Sequence, residues 1–209
     1  MDILWLVISA IIGYLLGSIN GAVLISTIFY GSDVRNHGSG NAGTTNMLRT
    51  FGKKAAGGTF LVDLLKGVVA AVLCGFLVKM LGTNCGYEVG ACVGGGFSIL
   101  GHNWPLYFGF KGGKGVLTSF AVMLALAPLA AVCALCVFIL VVAIWRYVSL
   151  GSIVAALSLI FFIWLFAGLA PVFYLGVFAA VLLIARHHAN IGRLIHGTES
   201  KLGQKSKKE

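Results

Sequence analysis

Long apolar runs separated by short polar segments are the feature that most constrains how this chain can fold. Of its 209 residues, 59% are hydrophobic and 10% are charged. A soluble domain has roughly a quarter of its residues charged, so lipid must cover much of this surface. We therefore predict an all-α integral membrane protein with about seven transmembrane helices. The apolar runs are residues 3–29, 55–81, 89–101, 115–128, 129–145, 148–167 and 172–185.

Helix lengths and helix breaks decide between seven spans and five. A spanning helix needs roughly 20 apolar residues, so the third and fourth runs are short enough to be tilted, broken or re-entrant. Residues 116–145 and 150–185 would each be far too long as single helices, and Pro128 and the 168–171 segment supply breaks. Seven spans is therefore the preferred count. The first run lacks a basic flank and a cleavage pattern, so we interpret it as a membrane helix rather than a removable signal.

Small residues within the apolar runs predict close packing between helices. Gly13, Gly17 and Gly21 recur every four residues, which would place them on one face of the first helix. The glycines at 94–96 indicate either a close contact or a local break in the third run. Cys133 and Cys136 form a C-x-x-C inside an apolar run, and we interpret them as packing residues.

The distribution of lysine and arginine predicts the orientation. Placing the N-terminus outside and the C-terminus in the cytoplasm puts nearly all basic loop residues inside, as the positive-inside rule requires. Only Lys79 lies near an outer loop, and a five-span chain would differ only by moving Arg146 outward. Residues 1–209 are predicted to form one domain, with a frayed, polar, basic tail over 198–209. The inner basic residues are Arg35, Arg49, Lys53, Lys54, Lys111, Lys114, Arg146, Arg186, Arg193, Lys201, Lys205, Lys207 and Lys208.

The first inner loop, residues 35–49, is rich in glycine and in small neutral donors. Glycines let successive backbone N–H groups converge on an anion, and Arg49 adds a forked, charged contact to phosphate oxygens. The loop matches G-x-G-x-x-G, but no strand precedes it and no acid follows at the required distance, so dinucleotide binding is disfavoured. We predict phosphate binding rather than an ordinary polar connector. The candidate residues are Gly38, Ser39, Gly40, Asn41, Gly43, Thr45, Asn46 and Arg49.

The second inner loop combines interfacial aromatic residues with a glycine- and lysine-rich segment. This segment directly precedes an apolar run, an arrangement that can hold an anion at a helix N-terminus. Its likeness to a Walker loop is superficial, because Gly115 stands where Ser or Thr would bind magnesium. The alternative interpretation is a basic segment that only flanks the two neighbouring helices and marks their ends. The candidate phosphate-binding residues are Lys111, Gly112, Gly113, Lys114 and Gly115.

The third polar segment, residues 186–199, follows the last apolar run, and we expect its helix to continue past the membrane. On such a helix Arg186, Asn190 and Arg193 would share a face, as would His187 and Asn190. The neighbouring His187 and His188 point in different directions, and no cysteine or acid lies at ligand spacing. A metal site is therefore disfavoured.

Charged residues outside these segments are few. Asp63 and Lys66 stand three apart in an apolar helix and predict a structural ion pair, although charges within a membrane are often functional. The residues give no basis for a Ser–His–Asp triad. An enzyme with these parts would work by positioning and charge neutralisation more than by a strong base. The net charge of +9, clustered between apolar runs, favours lipid headgroups or phosphorylated ligands over nucleic acid.

Taken in order, the three polar segments carry a family likeness over nearly the whole chain. The residues concerned are 38–46 with Arg49, then 101–102 with 110–115, then His187, Asn190, Ile191, Arg193, Leu194, Gly197 and Glu199. The runs 16–19 and 63–67 add to it. These motifs resemble the bacterial acyl-phosphate glycerol-3-phosphate acyltransferase family, of the PlsY type.

The resemblance implies transfer of a fatty acyl group from acyl phosphate to glycerol 3-phosphate. We expect no cofactor and no metal, and we infer no obligate protein partner. The resemblance also implies a location in the bacterial cytoplasmic (inner) membrane, with the motifs facing the cytoplasm. It further implies that Ser39, Arg49, His187 and Asn190 are catalytic. In the same way it implies that Lys111 to Gly115 bind glycerol phosphate and that Glu199 is structural.

Two other classes of protein share some of these features. A transporter for a phosphorylated metabolite would also have basic inner loops, but it would place polar groups along a path across the bilayer. Here the polar residues cluster on one side. A purely structural membrane subunit would leave three phosphate-suited segments unexplained. We therefore favour an interfacial enzyme that meets a lipid substrate from the cytoplasm.

Overall fold

The computed structural model describes residues 2–81 and 84–204, and every regular element in them is helical. The chain divides into two compact units, with the boundary between Leu126 and Ala127. Short 3-10 turns at Val34–Asn36 and Leu106–Phe108 accompany the α-helices of the first unit. The first unit contains α1 (Asp2–Gly17), α2 (Gly21–Tyr30), α3 (Thr44–Phe51), α4 (Lys53–Met80), α5 (Gly86–Asn103) and α6 (Val116–Leu126). The second unit contains α7 (Pro128–Trp145), α8 (Val148–Ala167), α9 (Pro171–Arg186) and α10 (His188–Ile195).

Within the described residues, four segments are long and apolar enough to cross a membrane. The bent pair of α9 and α10 adds a fifth if it is counted as one span, and α6 is a shorter apolar helix. Large apolar side chains face outward, and Ile3 and Met80 are 78% and 82% exposed. The all-α prediction is confirmed for the described residues, whereas the count of seven spans stays a prediction. The four segments are Asp2–Tyr30, Lys53–Met80, Pro128–Trp145 and Val148–Ala167.

A polar break divides the first apolar run into two helices. α1 ends at Gly17, and the Oδ1 atom of Asn20 accepts a hydrogen bond from the N–H of Val23 (3.1 Å), which caps the start of α2. The prediction that Gly13, Gly17 and Gly21 share one helix face is therefore wrong. Gly21 begins the second helix and faces α4 instead of α5.

Glycines hold α1, α4 and α5 of the first unit at close range. A Cβ atom on Gly17 of α1 would lie 2.6 Å from the Cα atom of Ser98 in α5. One on Gly90 of α5 would lie 2.7 Å from the carbonyl oxygen of Cys74 in α4. α5 runs without interruption through the glycines at 94–96. These glycines therefore mark a close contact, not a break.

In the second unit, α7 packs against α8, and α8 packs against α9. Pro128 and Pro171 are the first residues of α7 and α9, so the predicted breaks are confirmed. Proline suits this position because the first helical N–H has no partner within the helix. Arg146, at φ 64°, makes the turn between α7 and α8.

The segment after α10 returns to this turn. The N–H of Leu202 donates to the carbonyl of Arg146 (2.7 Å), and Nη2 of Arg146 donates to the carbonyl of Leu202 (2.8 Å). This part of the predicted frayed tail is held against the second unit. Residues 205–209, with Lys205, Lys207 and Lys208, lie outside the described residues. The prediction of one domain over residues 1–209 stays a prediction.

Candidate functional site

One buried asparagine shapes the first glycine loop. Asn46 is 1% exposed, and its Nδ2 atom donates to the carbonyl oxygens of Val34, His37 and Asn41 at 2.9–3.1 Å. Its Oδ1 atom accepts from the N–H of Ser39 at 3.0 Å. A side chain that closes so many loop hydrogen bonds fixes the backbone around it. Asn46 therefore sets the loop conformation, and its predicted contact with phosphate stays a prediction.

The loop contains two glycines in the left-handed region and leads directly into α3. Gly38 and Gly40 have φ values of 58° and 68°, and a Cβ atom on Gly38 would collide with the Asn46 side chain. Gly43 precedes α3 without a side-chain cap, so the first-turn N–H groups of Thr44 and Thr45 have no acceptor within the helix. An anion is favoured at such a position. The N–H groups that remain candidates for the predicted phosphate contact are therefore those at the start of α3. The last turn of this helix carries Arg49.

An arginine joins the first loop to the second. Nη1 of Arg35 donates to the carbonyl oxygens of Phe108 (2.7 Å) and Lys111 (3.0 Å). Its Nε and Nη2 atoms bind the carboxylate of Asp33 at 2.7–3.0 Å. These hydrogen bonds from Arg35 hold the pKa of Asp33 below its ordinary value. The two predicted phosphate-binding loops therefore lie side by side within the first unit.

Part of the second loop caps α5. This helix extends to Asn103, so the beginning of the second motif is helical. The N–H groups of Gly112 and Gly113 donate to the carbonyls of Asn103 (3.2 Å) and His102 (3.1 Å). Those two amides consequently serve the end of α5 rather than an anion. The candidate anion-binding groups that remain in this loop are the two lysines, at 111 and 114, and the start of α6 after Gly115 (φ 76°).

A buried cluster of charged and polar side chains lies beneath these loops. The predicted ion pair is present, with Nζ of Lys66 2.7 Å from Oδ1 of Asp63. Nζ of Lys66 also lies 2.8 Å from Nδ1 of His102 and donates to the carbonyl of Ile19 (2.9 Å). The N–H of Gly21 donates to Asp63 at 3.3 Å. The cluster therefore ties α4 and α5 to the break between α1 and α2.

His102 belongs to the second motif, but neither it nor Asn103, the two polar residues at the end of α5, was predicted to have a role. His102 is 4% exposed and Asn103 is fully buried. Neither side-chain polar atom of Asn103 has a hydrogen-bond partner among the described residues, and the same holds for the hydroxyls of Thr118 and Ser119 in α6. Leaving such a group unpaired costs about 1–3 kcal/mol. The available signal was position, because His102 and Asn103 directly precede the second glycine segment.

The third motif lies in the second unit, at a bend. α9 ends at Arg186 and α10 begins at His188, with an angle of 58° between them, so the predicted continuation of the helix is wrong. His187 is the residue at the bend, and its Nδ1 atom lies 2.8 Å from the carbonyl oxygen of Leu183. The described residues contain no group of three His, Cys, Asp or Glu side chains that could hold a metal ion.

A carboxylate holds the helix that follows the bend. Glu199 accepts hydrogen bonds at Oε1 from Asn190 and from Ser149 of α8, and at Oε2 from Arg193, each at 2.7 Å. Burial opposes ionisation of Glu199, but the hydrogen bonds from Asn190, Ser149 and Arg193 outweigh it and hold its pKa below the ordinary value. Asn190 and Arg193 share a face of α10, as predicted, and that face binds Glu199.

These features define a multi-pass helical membrane protein with basic, glycine-rich loops at its helix ends. The family model for glycerol-3-phosphate acyltransferases matches residues 7–197. A glycerol-3-phosphate acyltransferase from Clostridioides difficile (strain 630) is 46% identical, over 98% of this chain and 99% of its own length. One from Thermoanaerobacter sp. (strain X514) is 40% identical, over 97% and 98% of the two chains.

Two solved structures are similar to this chain in both fold and sequence. Both are crystal structures of PlsY (YgiH), an integral membrane glycerol 3-phosphate acyltransferase. The glycerol 3-phosphate form has a TM-score of 0.85 and 38% identity, covering 95% of this chain and 96% of the other. The lysophosphatidic acid form has a TM-score of 0.82 and 36% identity, covering 95% of each chain.

This chain belongs to the glycerol-3-phosphate acyltransferase family, of the PlsY type, so the family predicted from its motifs is confirmed. It is a multi-pass integral membrane enzyme, an acyltransferase of phospholipid biosynthesis.

Proposed function

We propose that this acyltransferase moves a fatty acyl group from acyl phosphate to the 1-hydroxyl of glycerol 3-phosphate, giving lysophosphatidate and inorganic phosphate. The observation that carries the proposal is the joining of two basic glycine loops through Arg35, Phe108 and Lys111. Donor and acceptor each bring a phosphate, and paired loops can hold two. The solved relatives in glycerol 3-phosphate and lysophosphatidic acid forms fit the proposed acceptor and product.

The reaction needs charge neutralisation and alignment of the two substrates. Arg49, Lys111 and Lys114, with the amides at the start of α3, bind the phosphates. The hydroxyl oxygen attacks the acyl carbonyl carbon, the bond from that carbon to the phosphate oxygen breaks, and the departing phosphate takes the hydroxyl proton. We assign catalytic roles to Ser39, His187 and Asn190 because they match the activity positions of the family's first and third motifs.

A second candidate for the base is His187. The carbonyl oxygen of Leu183 can only accept a hydrogen bond, so the Nδ1 atom of His187 beside it carries a proton. In the neutral ring, Nε2 is then the acceptor, which a general base requires. This tautomer supports His187 as the alternative to the departing phosphate.

We further propose seven spans in the bacterial cytoplasmic membrane, with the N-terminus outside and the active site facing the cytoplasm. The hydrogen bonds between Arg146 and Leu202 support this count, because they place the α7–α8 turn beside the C-terminal segment. A five-span chain would separate the two across the bilayer. The proposed enzyme needs no cofactor and no obligate protein partner.

The test uses purified protein in lipid, radiolabelled glycerol 3-phosphate, and palmitoyl phosphate or palmitoyl-CoA as the donor. Labelled lysophosphatidate from palmitoyl phosphate alone is the expected result. Product from palmitoyl-CoA alone would overturn the donor, and product from neither would overturn the proposed reaction. Uptake of glycerol 3-phosphate into proteoliposomes would then test transport.

An arginine variant tests the phosphate-binding assignment. Arg49→Ala should lower kcat/KM by about 10- to 100-fold, because a hydrogen bond to a charged group contributes roughly 1.5–3 kcal/mol. Lys79→Ala is the matched control, since it removes an exposed cation from the far end of α4 and should leave kcat/KM unchanged. Full activity of Arg49→Ala would contradict the assignment.

A further inference from the structure

The buried cluster beneath the loops fixes which nitrogen of His102 carries the ring proton. Nζ of Lys66 lies 2.7 Å from the carboxylate of Asp63, so this lysine is an ammonium with three donors and no acceptor. The same Nζ lies 2.8 Å from Nδ1 of His102, whereas Asp63 lies 3.5 Å from that nitrogen. In the neutral ring, Nδ1 therefore accepts from Lys66, which leaves the ring proton on Nε2.

The protonated nitrogen faces the second glycine loop. A Cβ atom placed on Gly113 would have Nε2 of His102 as its nearest neighbour and would lie 2.7 Å from the carbonyl oxygen of Ala42 in the first loop. The backbone of Gly113 also donates to the carbonyl of His102. Gly113 is thus held between the imidazole ring and the first loop, at a point where only glycine fits.

We propose that His102 is a positioning residue for the glycerol 3-phosphate-binding loop. The Asp63–Lys66 pair orients the ring through Nδ1, and Nε2 packs against the loop at Gly113. The ring thereby sets where Lys111 and Lys114, on either side of the two central glycines, meet a substrate phosphate. Asp63 and Lys66 therefore orient the imidazole ring in addition to holding the helices together. This inference rests on the proposed function.

Two substitutions separate the two ring nitrogens. His102→Gln places an amide N–H near the position of Nε2 but offers Lys66 no acceptor at the position of Nδ1. His102→Asn offers an acceptor near Nδ1 and leaves the position of Nε2 vacant. The measurements are KM for each substrate, kcat, and the thermal midpoint of the purified protein in detergent. Matched controls are His196→Gln and His196→Asn, which alter an exposed histidine after α10.

We expect His102→Asn to raise KM for glycerol 3-phosphate about tenfold, because a displaced loop would weaken roughly one charged hydrogen bond to the substrate phosphate. KM for the acyl donor should stay within about twofold. His102→Gln should keep KM for glycerol 3-phosphate within about threefold, even though its thermal midpoint falls. A merely structural role predicts the opposite order, with His102→Asn close to wild type and His102→Gln impaired, and that order would overturn the proposal.

The same samples keep failure of this inference distinct from failure of the proposed function. If wild-type protein makes no lysophosphatidate from either donor, the proposed reaction fails. The dissociation constant for glycerol 3-phosphate, measured by calorimetry, then still tests the role of His102. It should rise about tenfold in His102→Asn. If wild-type protein is active and both His102 variants match it in KM and dissociation constant, the role of His102 is refuted.

Discussion

At the scale of single residues, Glu199 binds three side chains of the second unit and keeps its charge to do so. Its pKa is lowered in the folded protein, so its ionisation stabilises the fold above the ordinary pKa of about 4.5. That stabilisation is lost as the pH falls through the lowered value. Neutral glutamine can accept at one oxygen only, which weakens the hydrogen bonds that hold α10.

We therefore expect Glu199→Gln to lower the thermal midpoint in detergent at pH 6–8 by several degrees, as a loss of about 1–3 kcal/mol would. The gap between wild type and variant should shrink as the pH falls below about 4.5, because the wild-type carboxylate becomes protonated. Thermal scans of both proteins between pH 3 and pH 8 provide the measurement. A gap that stays constant over this range would contradict the proposed role of the carboxylate charge.

At the scale of helices, glycine decides how closely α1 can approach α5. The backbone of Gly17 lies against Ser98, and both helices present backbone rather than side chains at this contact. In lipid, where apolar surface gains little by leaving solvent, such close packing is a main source of helix association. The break at 18–20 lets the same run turn toward α4.

Gly17→Ala should destabilise the first unit by about 1–3 kcal/mol, because its methyl group would collide with the Ser98 backbone. Gly57→Ala is the matched control. A Cβ atom there meets nothing within 4 Å, and alanine is the better helix former. Thermal unfolding in detergent should show a lower midpoint for the first variant and an unchanged or higher one for the second. Equal midpoints would show that the contact does not limit stability.

At the scale of the whole molecule, membrane topology is the property most open to direct measurement. In a cysteine-free background, Lys79→Cys should react with a membrane-impermeant thiol reagent in intact cells. Trp145→Cys, beside the α7–α8 turn, should react only after the membrane is permeabilised. Labelling of Trp145→Cys in intact cells would favour five spans, because it would place that turn outside.

Much of this protein follows from local sequence alone. The apolar runs determined that it is helical and embedded in lipid, because unpaired backbone groups are not tolerated in hydrocarbon. Pro128 and Pro171 set two helix starts, because proline cannot continue a preceding helix. The three motifs were enough to predict the family, because together and in order they resemble it far more specifically than any single glycine loop does.

Tertiary structure decided what local patterns could not. The helix period placed Gly21 on the face of Gly13 and Gly17, but Asn20 and the contact with α4 began a new helix there. Asn46 was predicted to bind phosphate, yet its side chain closes loop hydrogen bonds to residues up to twelve positions away. His102 gained a proposed role only when folding brought Lys66 to one side of its ring and Gly113 to the other. Spacing along the chain determines what a segment can form by itself, whereas partners distant in sequence decide where it bends and which polar groups remain for a substrate.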